Sequence, residues 1–175
     1  MYEDLKIIFY PDPRLKKVSA EVTTFDDNLQ ALARRMFELM REARGVGLAA
    51  PQVGQNIRLF IVNATGEPAD DRVYVNPILS DLSEDELEGE EGCLSLPQVN
   101  VEVFRNKTVR IRALDLSGNP FEQVESEYVA RIWQHENDHL DGILLTDKMG
   151  PVAKIANRKL LKDLEAKYAA DNPKK

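Results

Sequence analysis

A single cysteine, Cys93, rules out a disulfide within this chain and leaves one thiol free to act as a ligand or nucleophile. A reducing compartment fits that thiol, and the cytoplasm is the expected location. Histidine is almost as scarce, with two in 175 residues, His135 and His139. The opening Met1-Tyr2-Glu3-Asp4-Leu5-Lys6 lacks the basic-then-apolar order of an export signal, and no apolar run approaches a membrane span, so no membrane partner is expected. Excess positive charge is also missing. A formal net charge of −7 argues against a surface dedicated to DNA or RNA. The 43% hydrophobic and 30% charged content is that of a globular protein, and 175 residues are most economically one domain, 1–175.

What is present is concentrated in a few places. Both histidines fall in Gln134-His135-Glu136-Asn137-Asp138-His139. Residues four apart on a helix share a face, so two imidazoles can hold one metal ion with Glu136 beside them to take a proton from water. The helix reads from a Ser126 cap through Tyr128 to Leu140, with Gly142 as its stop and apolar residues around most of its circumference. A tetrahedral catalytic site commonly uses three protein ligands and keeps one position for water. Cys93, in Glu91-Gly92-Cys93-Leu94-Ser95, is the candidate third ligand. Two nitrogens and a thiolate suit zinc on chemical grounds.

Along the rest of the chain, residues 5–10 read as extended, and Pro11-Asp12-Pro13 forces a turn. An amphipathic helix begins at Asp26 or Asp27 and buries Leu29, Leu32, Met36, Leu39, Met40 and Ala43, with Gly45 at its left-handed end. The small residues from Gly45 to Gln52 suit a helix-to-strand turn, or an exposed edge that pairs with an extended peptide while Gln52 projects into a site. Residues 57–64, 72–79, 99–105, 107–115 and 121–125 read as strands, and the acidic run 81–91 as a solvated loop. Pro151 opens a final helix, about 150–170, with 171–175 a frayed tail. Its apolar stripe is Val152, Ile155, Leu160, Leu164 and Tyr168. Its other side carries Lys154, Arg158, Lys159, Lys162 and Lys167. Solvent is the plain expectation for that basic side, and an anionic surface such as ribosomal RNA is the partner it would fit.

Three stretches together resemble the signatures of peptide deformylase: Gly45-Val46-Gly47-Leu48-Ala49-Ala50-Pro51-Gln52, Glu91-Gly92-Cys93-Leu94-Ser95, and Gln134 to Gly142. Tyr10-Pro11-Asp12-Pro13-Arg14-Leu15 extends the similarity towards the N-terminus. The resemblance implies an α+β fold with antiparallel sheets around a central metal-binding helix, a helix in the N-terminal half and a C-terminal helix. It also implies hydrolysis of the formyl group from nascent formylmethionyl peptides. One divalent metal would sit on Cys93, His135 and His139, with Fe2+ native and Zn2+, Ni2+ or Co2+ able to replace it.

By the same resemblance Glu136 is the general base, and the Leu94 N–H and Gln52 amide face the oxyanion. Val46, Gly47 and Gly92 would offer backbone groups to the peptide. Tyr128 and Ile132 lie two turns and one turn before His135, so they are candidates for the methionine pocket, with Arg131 and Glu91. Asp138 would orient a partner such as Arg105. Two other readings compete. A metallo-endopeptidase usually takes a third ligand downstream, a glutamate or histidine, whereas here no third histidine exists and Cys93 sits upstream in its own motif. A non-catalytic module for peptide N-termini would have no use for Glu136 and Gln52.

Overall fold

The computed structural model describes residues 2–173. Helix α1 (Asp27–Glu42) starts where the Asp26 carboxylate accepts the Leu29 N–H at 3.0 Å, satisfying one of the orphan donors of its first turn. It buries the expected face from Leu29 to Met40, but Ala43 caps its C-terminus in solvent. The left-handed residue beyond the helix is Arg44 (φ 56°), not Gly45. Gly45 is small for another reason: a Cβ there would lie 2.7 Å from Leu94 Cδ1.

An antiparallel sheet follows, from β1 (Gly47–Ala49), β2 (Leu59–Val62), β3 (Arg72–Ser80), β6 (Thr108–Leu114) and β7 (Pro120–Ser126), in that spatial order. All four residues of β2 are buried because the sheet is covered on both faces. Leu59 and Ile61 join Met36 and Met40 of α1, whereas Phe60 and Val62 join Tyr74, Ala130 and Trp133 on the other side. Alternation along one strand thus feeds two cores. Trp133 is fully buried with its ring 5.6 Å from that of Tyr74, and truncating such a side chain costs about 3–5 kcal/mol.

Of the acidic run 81–91, residues 81–85 are a largely exposed loop, but from Glu86 onwards the run is a strand. Strand β4 (Glu86–Cys93) pairs with β5 (Leu96–Asn106) in a separate hairpin, with Glu91 opposite Val101. Glu86, Glu88 and Glu90 face solvent while the intervening Gly89 and Glu91 face inwards, so composition alone disguises a two-residue period.

Helix α2 (Glu127–Leu140) lies between the large sheet and this hairpin. Ser126 occupies its N-cap position without a capping side-chain bond. Gly142 (φ 72°) turns the chain away at the other end, where a Cβ would press within 2.5 Å of the Lys16 carbonyl oxygen.

Beyond α3 (Leu145–Lys148), the expected single C-terminal helix is two, α4 (Pro151–Ala156) and α5 (Arg158–Asp171). Buried Asn157 separates them, its amide donating to Asn100 O at 3.2 Å and Ala153 O at 3.0 Å. The break rotates the apolar stripe. Val152 and Ile155 are 81% and 75% exposed, whereas Ala153, Leu160, Leu161 and Leu164 pack on the hairpin. Of the tail expected at 171–175, Asp171 is still helical and residues 174–175 lie outside the described residues. No helix among the described residues is long and apolar enough to cross a membrane.

The extended N-terminal segment joins distant parts. Ile8 N–H donates to Gln52 O at 2.8 Å and Tyr10 N–H to Ser95 O at 2.9 Å.

Candidate metal centre and peptide cleft

Helical spacing stacks His135 and His139 one turn apart, with their Nε2 atoms 3.3 Å from each other. A bulge between Gly92 and Cys93 at the end of β4 re-aims the thiol, and Cys93 Sγ lies 3.3 Å from His139 Nε2. All three donor atoms fall within 4.8 Å of one another. Ligand distances of about 2.0–2.3 Å at a tetrahedral ion place neighbouring donors roughly 3.4–3.6 Å apart. The set therefore fits one divalent cation, and three converging lone pairs have a common use in holding it.

A second layer orients this set. The Glu91 carboxylate accepts from His135 Nδ1 at 2.9 Å, so the assigned proton sits on Nδ1 and the Nε2 lone pair faces the centre. Glu91 also accepts Arg105 Nε at 2.9 Å, Arg105 Nη2 at 3.0 Å and Arg131 Nη1 at 2.9 Å. Arg105 Nη1 donates to Asp138 at 2.7 Å, which is the pairing expected for Asp138. Burial opposes ionisation of Glu91, but hydrogen bonds from Arg105 and His135 overcome it and draw the carboxyl down to about 2.

Glu136 is the opposite case. Burial pushes its carboxyl up to about 7, and Oε2 has no hydrogen-bond partner among the described residues. Its other oxygen rests against Gly47, where a Cβ would lie 2.8 Å from Glu136 Cδ and closer still to Oε1. Only glycine lets the carboxylate sit there. Burial and the neighbouring His135 push the His139 pKa well below its ordinary value, favouring the neutral ring that a metal needs.

Gln52 reaches the centre from the other side. Its Oε1 accepts the Ala49 N–H at 2.9 Å, and its Nε2 lies 3.5 Å from Cys93 Sγ and 3.2 Å from Ser95 Oγ. A cleft of about 610 Å³ opens beside these groups, lined among others by Val46, Gly47, Gly92, Leu94, Tyr128 and Ile132. Strand β1 is the edge of its sheet. Val46 O is taken by Asn63 N–H at 2.9 Å, so the alternation of an antiparallel ladder turns the N–H and C=O of Gly47 towards the open edge.

Glu91 and Arg131 also border the cleft, but their charged ends face each other and the hairpin. Arg131 donates to Leu87 O at 2.5 Å and Val103 O at 2.9 Å. The hub role of Arg105 and the contact of Ser95 with Gln52 go unread in sequence. The inward position of Arg105 in the alternation of β5 was the available signal for the first.

Comparisons with known proteins agree along the chain. Residues 4–154 match the family described as polypeptide deformylase. The chain is 42% identical over 166 residues to peptide deformylase 1B, chloroplastic/mitochondrial, of Arabidopsis thaliana, covering 94% of this chain and 61% of that protein. It thus spans about three fifths of the plant relatives it matches. The peptide deformylase of Pseudomonas aeruginosa is 41% identical over 157 residues, covering 90% of this chain and 94% of that one. A crystal structure of Plasmodium falciparum peptide deformylase superposes with a TM-score of 0.93 at 40% identity, covering 97% of this chain and all of the other. Sequence and fold lead to the same place, and the chain belongs to the polypeptide deformylase family.

Proposed function

We propose that this chain is a metal-dependent amide hydrolase that removes the N-terminal formyl group from formylmethionyl nascent peptides and releases formate. The observation that carries this reading is the convergence of Cys93, His135 and His139 beside an unpaired buried carboxylate, Glu136, at the end of a cleft.

Cys93, His135 and His139 would hold one divalent cation, iron in the working enzyme, with zinc, nickel or cobalt as replacements. Such an ion supplies Lewis acidity, polarising a carbonyl oxygen and making water a stronger acid. Glu136 takes a proton from the attacking water as the water oxygen bonds to the formyl carbon. The Gln52 amide and the Leu94 N–H donate to the oxygen that gains negative charge. Glu136 then returns the proton to the departing amine as the C–N bond breaks, leaving formate and a free N-terminus.

The edge of β1 at Val46 and Gly47, with Gly92 across the cleft, suits pairing with an extended peptide. Tyr128 and Ile132 are the methionine-pocket residues in this reading. The stem of Arg131 and the Glu91 wall close the pocket, since their charged ends are engaged elsewhere. The exposed Lys154, Arg158, Lys159, Lys162 and Lys167 of α4 and α5, with Asp163 and Glu165 among them, are the cations that would meet an anionic surface such as ribosomal RNA, in keeping with work on nascent chains in the cytoplasm.

Anaerobically purified protein of measured metal content should release formate from formyl-Met-Ala and leave an unformylated longer peptide intact. Cleavage of the longer peptide would mark an endopeptidase. A metal-loaded protein inert on both would mark a binding module.

A further inference from the structure

Ser95 does not line the cleft, yet its fully buried hydroxyl sits 3.2 Å from Gln52 Nε2. Gln52 is itself 1% exposed. The Ala49 N–H fixes Oε1 as the acceptor end of that amide, so Nε2 carries two hydrogens. Ser95 Oγ accepts one of them. The second is left on the side of Cys93, whose Sγ lies 3.5 Å away.

The backbones of both residues are fastened to the same short segment. Ile8 N–H donates to Gln52 O at 2.8 Å and Tyr10 N–H donates to Ser95 O at 2.9 Å. Forty-three residues apart in sequence, Gln52 and Ser95 are thus set in register by one brace near the N-terminus.

We propose that Ser95 is a positioning residue for the hydrolysis: its hydroxyl sets the rotation of the Gln52 amide so that the second N–H, directed at the weak acceptor Cys93 Sγ, is held beside the oxygen that becomes negative when water adds to the formyl carbon. This rests on the hydrolase reading of the same site. It extends that reading to a residue that acts only through another. A buried N–H without an acceptor is costly, so loss of the hydroxyl lets the amide turn away to find one. Removing a donor of this kind lowers turnover by about 10²–10³-fold, and a misplacement of about 1 Å can cost about 10²-fold.

Ser95→Ala deletes one oxygen from a packed position. It should lower kcat by about tenfold or more while KM stays within about twofold, because the donor acts on charge that appears only in the transition state. Metal content and the sulfur signature of a cobalt-substituted sample should not change. In a Gln52→Ala background, adding Ser95→Ala should cause no further loss, the mark of two residues acting as one unit. The Gln52 side-chain protons, followed by NMR, should exchange with solvent about tenfold faster in Ser95→Ala, since one buried hydrogen bond is gone.

An active parent whose Ser95→Ala variant keeps its kcat would overturn this proposal and leave the hydrolase reading standing, as would a Ser95→Ala variant that loses metal or an additive loss in the double variant. A metal-loaded parent that releases no formate would overturn both.

Discussion

Glu91 and Glu136 are buried almost equally, at 6% and 4% exposure, on either side of His135, and the fold treats them in opposite ways. The hairpin side surrounds Glu91 with Arg105, Arg131 and the His135 ring, and the carboxyl is held at about 2. The sheet side gives Glu136 no partner for one oxygen, and burial pushes it up to about 7. A carboxylate with four donors is a structural anion, unfit to accept a proton near neutral pH. One left unpaired is a proton acceptor that the rest of the fold must tolerate. The same burial therefore yields a support on one side and a reactive group on the other.

Isosteric substitutions break this comparison most sharply. Glu136→Gln keeps the shape and removes the proton acceptor. Turnover should fall by about 10²–10⁴-fold with metal content unchanged, and the metal-free variant should melt no lower than the parent, because a buried unpaired charge has gone. Glu91→Gln should behave in reverse. It leaves the buried Arg105 guanidinium short of its counter-charge, a loss of about 3–5 kcal/mol in urea unfolding, with weaker metal retention as His135 loses its orienting acceptor. If both variants lost equal stability, the distinction between support and base would be wrong.

A subtler change acts on Glu136 without touching it. Gly47→Ala would press a methyl group against the carboxylate. Displacement of the base by about 1 Å should lower kcat by roughly 10–100-fold while the three ligand atoms stay in place. A Gly47→Ala enzyme with full turnover would show that the base has room to move.

These contrasts mark what could be read in advance. Helical spacing brings His135, Glu136 and His139 together before any fold is known, and one cysteine in a glycine-flanked motif is easy to nominate as their partner. The environment of Glu91 is a different matter. Its donors come from residues 105, 131 and 135, which meet only through the pairing of β4 with β5 and the packing of α2 across them. The strand itself was hidden, because alternating carboxylates read as a solvated loop when half of them face water.

The C-terminal helix departs from its sequence pattern for a related reason. Asn157 looks like a tolerable helical residue, but its amide is bonded to Asn100 across the hairpin, and that long-range contact breaks the helix and turns Val152 and Ile155 outwards. At Gly45 residue type alone suggests a left-handed φ. The structure puts the positive φ on Arg44 and uses the glycine to admit Leu94. Periodicity carries local order well, whereas contacts between distant segments decide which polar residues are buried and with what.

The smallest effect tests whether burial, and not distance, ranks these pairs. Arg58 and Asp141 meet at 2.8 Å, as close as Arg105 and Glu91 at 2.9 Å, but Asp141 is 42% exposed against 5% for the Glu91 side chain. Water screens the outer pair and hydrates either group when the other is lost. Asp141→Asn should therefore cost less than about 1 kcal/mol, and the difference should shrink further in 1 M salt, where screening acts over about 3 Å. The loss in Glu91→Gln should survive the same salt, because ions do not enter the packed space between the hairpin and α2. Equal salt sensitivity in the two variants would mean that solvent reaches Glu91, and its depressed pKa would then need a different cause from the enclosed arginine pair.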